Sequence, residues 1–142
     1  MRTNEWLESR LEHIYKQYFG DIEASNAVYI EFGRKAKNQL GCIKKVFPKG
    51  VLNRINGDFD TKIIINGYFR DESIPEYVVD ATIAHELSHY AHGFSSPLPQ
   101  KYRHPHKGGK VKHEMHSRGF EETLKRQKRW IKENWRNYLK GK

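Results

Sequence analysis

An α+β fold follows from three features of this 142-residue chain. Apolar stripes at helical spacing occur near the N-terminus, in the middle and near the C-terminus. Three short β-type runs stand between the first two stripes. A Pro- and Gly-containing segment separates the last two, so helix and strand are grouped rather than alternating.

Residues 4–19 place Leu7, Leu11, Ile14, Tyr15 and Tyr18 on one stripe, and Gly20 is a natural stop. "AVYIEF" (27–32), "GCIKKVF" (41–47) and "TKIIIN" (61–66) read as strands. Asn56-Gly57 favours a tight turn before the third, and a small, mainly antiparallel three-stranded sheet is expected. Ser73, with Pro75 in the first turn and Glu76 three residues on, reads as a capping box. The helix it opens should run to about His92 and stop at Gly93. Residues 93–115, with Pro97, Pro99, Pro105 and Gly108-Gly109, predict a long loop. A last helix is expected over 116–140, its stripe formed by Phe120, Leu124, Ile131, Trp135 and Tyr138 or Leu139.

The size fits a single domain spanning 1–142 with its own core. No apolar run is long enough for a membrane span. No apolar stretch follows Arg2 as a secretory signal would need, so none is expected. Cys42 is the lone cysteine, which excludes an internal disulfide framework and a Cys-rich zinc ribbon, and agrees with a cytoplasmic location. Charge is unevenly placed. Residues 1–100 carry 12 Lys/Arg against 13 Asp/Glu, whereas residues 101–142 carry 14 against 4. The basic excess therefore belongs to the C-terminal part, where it would attract polyanions, nucleic acid foremost.

The chemistry concentrates in "DATIAHELSHYAHGF" (80–94), where His85, Glu86 and His89 spell H-E-x-x-H. On a helix, positions i and i+4 share a face, so two imidazoles can reach one ion. Zinc suits imidazole nitrogen and accepts an open position for water. Glu86 is rotated off the ligand line yet within reach of that water, as a general base must be. A catalytic zinc takes three protein ligands. His92 cannot complete the set from the same straight helix, and interaction with the helix dipole suits it better. His104, His106, His113, His116, Glu114, Glu121 and Glu122 are the remaining candidates. Among them His116, at the expected start of the last helix and one turn before Phe120, would be the most rigidly held.

The chain resembles the SprT-like zinc metallopeptidases, which include the Spartan-type proteases of DNA–protein crosslinks. The likeness rests on the N-terminal helix, the short strands, the strand end from Ile63 to Asn66, "HELSH" at 85–89 and "HSRGF" at 116–120. The family's third-ligand segment is typically H-G-x-x-F; Ser117 replaces its glycine here. Within these 142 residues no cysteine follows Cys42, so the downstream Cys-containing element of some members is not expected. The resemblance implies a zincin-like α+β fold. It also implies one zinc per chain on His85, His89 and His116, Glu86 as base, and peptide hydrolysis in a protein substrate. Tyr90, Tyr102, His113 and Arg118 are candidate oxyanion donors.

Family members that cleave DNA-bound proteins give the basic end a purpose. Lys125, Arg126, Arg129, Lys132 and Arg136 would contact nucleic acid, with Trp130 as a stacking ring. Trp135 lies on the apolar stripe and is expected in the core. Two other readings compete: a non-enzymatic nucleic-acid-binding module with a structural zinc, and a metallohydrolase of small amides with the 93–115 segment as lid. The intact H-E-x-x-H argues against the first, because a structural site has no use for Glu86.

Overall fold

The structure, a computed structural model, describes residues 1–47, 58–102 and 107–142. It is α+β, with four helices and one three-stranded sheet among the described residues. The N-terminal helix α1 spans Asn4–Tyr18, capped by Thr3, whose hydroxyl oxygen accepts the Trp6 N–H at 3.1 Å. Strands β1 (Val28–Phe32), β2 (Gly41–Val46) and β3 (Asp60–Ile65) follow. The predicted turn at Asn56-Gly57 lies outside the described residues.

The sheet is mixed rather than mainly antiparallel. Its order is β1-β3-β2, with β3 parallel to β1 and antiparallel to β2. The most β-branched strand takes the centre, where both edges are paired and Thr61, Ile63 and Ile65 are buried on one face. Ile30, Ile63 and Ile43 stand side by side across that face, against the helices.

Helix α2 spans Glu76–Ala91 and runs through the middle of the molecule, buried on nearly every side. A helix apolar all round belongs inside. It ends where expected: His92 caps it and Gly93 follows at φ 83°. Its start differs from the predicted capping box. Asp71 takes the Ser73 N–H at 2.9 Å in a local turn, and Pro75, extended at ψ 145°, becomes the cap without a side-chain bond. Arg10 of α1 binds Asp80 of α2 through two hydrogen bonds of 3.0 and 2.8 Å, fixing the crossing of the two helices.

The segment expected as a loop over 93–115 contains a helix. α3 spans Lys110–Ser117, because Val111 and Met115, one turn apart, both reach the core. His116 therefore closes α3 instead of opening the last helix. The chain breaks at Gly119, whose φ of 96° suits only glycine, and the Phe120 N–H returns to the Met115 carbonyl at 2.9 Å. Helix α4 then runs through Glu121–Trp130, a π-helical turn Ile131–Trp135, and Arg136–Lys140. The wider π turn keeps Gln127, Ile131 and Trp135, spaced by four, on one face. Trp135 is buried as expected, stacked on Tyr138 at 5.6 Å between ring centres, with its indole N–H on the Lys37 carbonyl at 2.9 Å. No helix among the described residues is long and apolar enough to cross a membrane.

Candidate metal centre and its cleft

α2 presents His85 and His89 one turn apart, their ring centres separated by 4.9 Å and their planes inclined at 75°. That spacing lets two imidazoles turn a nitrogen each toward one ion. His89 is 3% exposed and lies 5.5 Å from the Phe94 ring, whereas His85 is half-buried. Glu86, 4% exposed, is buried about as far as His89, and burial pushes its carboxyl up to about 8. The two imidazoles and the carboxyl belong to one rigid turn, which the core on every other side of α2 holds still.

His85 and Glu86 open onto a cleft of about 260 Å³. Its walls are the 38–41 segment on one side, and Thr82 and Gln127 on the other. The first wall is fixed by Asn66, the residue that ends the "I-x-x-N" strand. Its Nδ2 donates to the carbonyls of Ala36 (2.6 Å) and Gln39 (2.7 Å). Its Oδ1 accepts the N–H groups of Ala36 (3.2 Å) and Tyr68 (3.0 Å), so both ends of the amide are used. The Asn66 N–H adds a bond to the Leu40 carbonyl at 2.9 Å. Gly41 lets the wall close on α2, since a Cβ there would stand 2.8 Å from the Thr82 methyl.

Among the described residues, no group of three His, Cys, Asp or Glu side chains comes together closely enough to hold a metal ion. His116, half-buried at the end of α3, is therefore not gathered with His85 and His89 into such a group. His104 and His106 lie outside the described residues. His113, Glu121 and Glu122 are exposed. Cys42 is half-buried, and burial raises its pKa, which keeps it a thiol.

His92 and Glu114 pair with each other. His92 Nε2 meets Glu114 Oε1 at 2.7 Å, and Glu114 Oε2 accepts from Arg118 Nε at 3.1 Å. Arg118 also donates to Asp21 at 2.6 and 3.1 Å and to the Tyr18 carbonyl at 2.8 Å. This chain of polar contacts ties the end of α2 to α3 and α1. It engages the Arg118 guanidinium with Glu114, Asp21 and Tyr18, away from the cleft-lining residues. Tyr90 is engaged as well: its hydroxyl donates to Asn26 at 2.6 Å from a fully buried ring, and burial pushes it up to about 12. Tyr102 packs edge-on against His92 at 4.9 Å. None of the four proposed oxyanion donors is among the described residues that line the cleft.

The basic residues stand on the outside of α4, where Lys125, Arg126, Arg129, Lys132 and Arg136 are all exposed. Arg126 lies over the Tyr77 ring at 4.2 Å, and Lys125 is 3.5 Å from Glu121. Trp130 is half-buried, 6.2 Å from Trp135 between ring centres. Gln127, in the middle of this basic run, is the residue that sequence reasoning missed. It falls on the apolar stripe between Leu124 and Ile131, and an uncharged amide there was the available signal. Comparison with protein-family models, with curated proteins and with solved structures finds no match to this chain.

Proposed function

We propose that this chain is a zinc-dependent peptidase of the SprT-like kind, drawn to DNA-associated protein by the basic face of α4. The observation that carries the reading is the pairing of His85 and His89 at 4.9 Å beside the buried Glu86, with His85 and Glu86 lining the cleft. A core histidine pair has no need of an adjacent buried carboxyl. Burying one against apolar neighbours is costly unless a cation or a proton offsets it.

His85 and His89 would hold the metal; the resemblance assigns the third position to His116, which would have to move toward them from the end of α3, since the described residues do not bring the three together. Bound there, zinc would supply a Lewis acid and lower the pKa of water. Glu86 accepts the proton of the attacking water and returns it to the leaving amine. The 38–41 segment and the α4 wall hold the peptide across the cleft and keep bulk water out. Outside the cleft, five exposed cations along α4 concentrate polyanions, and the half-buried Trp130 beside them would be the ring on which an unpaired base stacks.

The test uses unfolded casein and the zinc-loaded chain, with and without single-stranded DNA. Glu86→Gln should keep its zinc and lose at least about 100-fold in turnover, the scale of a missing general base. Cleavage by Glu86→Gln at the wild-type rate would reject the mechanism. A rate indifferent to DNA at low salt would remove nucleic acid from the account.

A further inference from the structure

Gln127 is 6% exposed, and its amide is held in one orientation. Nε2 donates to the Val78 carbonyl at 2.9 Å and to Thr82 Oγ1 at 2.9 Å. A carbonyl oxygen can only accept, so the atom facing Val78 must be the amide nitrogen. The Thr82 hydroxyl spends its own hydrogen on the same carbonyl at 2.8 Å, which leaves its oxygen to receive Gln127. Both amide hydrogens are thereby committed to α2. The carbonyl oxygen Oε1 is left over, and among the described residues no donor reaches it. The side chain borders the cleft together with His85 and Glu86.

We propose that Gln127 Oε1 is a substrate-binding acceptor that takes a main-chain N–H of the peptide in the cleft, on the peptidase reading above. A neutral acceptor in a mostly buried wall favours a neutral donor, because a charged one would lose its hydration on entering. The main-chain amide is the neutral donor that nearly every residue of a peptide carries. The clamp on Val78 and Thr82 sets Oε1 at a fixed position relative to His85 and Glu86, one and two turns further along α2. Gln127 thus registers the chain without reading its sequence, and fixes which bond lies beside Glu86.

The experiment takes a peptide spanning a bond that the zinc-loaded wild-type chain cleaves in casein, and methylates its main-chain nitrogens one at a time. In the wild type, one methyl away from the scissile bond should lower kcat/KM about tenfold, the scale of one missing hydrogen bond. The loss should appear chiefly as a raised KM. In Gln127→Met, which keeps length and burial but has no acceptor, that same methyl should have no further effect. A wild-type scan that is flat away from the scissile bond overturns the proposal even if the variant fails to fold. So does a variant that loses the same factor as the wild type. If the wild type cleaves no casein at all, the peptidase reading falls and this one with it. If it cleaves but the scan is flat, the role of Gln127 alone is lost.

Discussion

Helices α2 and α4 use polar residues in opposite ways. α2 is buried almost throughout, and several of its polar groups are spent on its own backbone or on α1. Thr82 and Ser88 each donate to a carbonyl four residues back, both at 2.8 Å. His85, Glu86 and His89 remain as the groups with chemistry to offer, and they form one turn. α4 carries more charge but spends it on solvent, with Gln127 as its buried polar exception among the described residues. A polar group inside costs free energy unless it is used, so its position is informative; a charge outside costs little and says less. The proposed peptidase function therefore rests on the places where polarity and burial coincide.

The sharpest way to break that contrast is through the aromatic residues of α4. Trp135→Ala should destabilise by about 3–5 kcal/mol in urea unfolding, because it removes a core ring and its bond to Lys37. Trp130→Ala, from a half-buried site, should cost clearly less. Equal losses would place both rings in the core and leave no stacking surface. Next in size is Asn66→Ala, which strips four bonds from the 36–39 segment and Tyr68. About 3 kcal/mol is expected, given the backbone groups left without partners. If the cleft wall is the functional consequence, casein turnover should fall at temperatures where the variant is still folded. Unchanged turnover would make Asn66 a matter of stability alone.

The smallest stability effect belongs to the exposed cations. Changing Lys125, Arg129 and Lys132 together to alanine should shift stability by no more than about 0.5 kcal/mol per site. Binding of single-stranded DNA should weaken, and the slope of log affinity against log salt should flatten by about 0.7 for each phosphate that is no longer neutralised. A slope unaltered by the triple change would move the nucleic-acid surface elsewhere on the molecule.

Much of this architecture was legible because it rests on local rules. The stripe of α1 from Leu7 to Tyr15, the stop at Gly93 and the burial of Trp135 follow from spacing and from glycine at a helix end; Tyr18, expected on that stripe, is exposed, and Phe19 takes the core instead. Other features depended on pairings distant in sequence. Nothing in "AVYIEF" says that β3 will lie beside it in parallel, since that choice belongs to the whole sheet. Asp71 displaced Ser73 as the local acceptor before α2. Val111 and Met115 made a helix in a segment where nearby glycines and prolines suggested none, because two buried side chains outweigh weak propensity. The histidine pair was visible as letters. The amide of Gln127 was visible only as an oddity on a stripe, since its partners lie 45 and 49 residues upstream.

The central claim is that His85 and His89 grip one zinc ion, and metal analysis of the purified chain tests it most directly. After zinc loading and removal of excess, the wild type should hold one zinc per chain. Glu86→Gln should hold the same, and His85→Ala and His89→Ala should each lose the ion while Lys125→Ala retains it. A folded wild type with no zinc, or an undiminished ion in both histidine variants, would contradict the account.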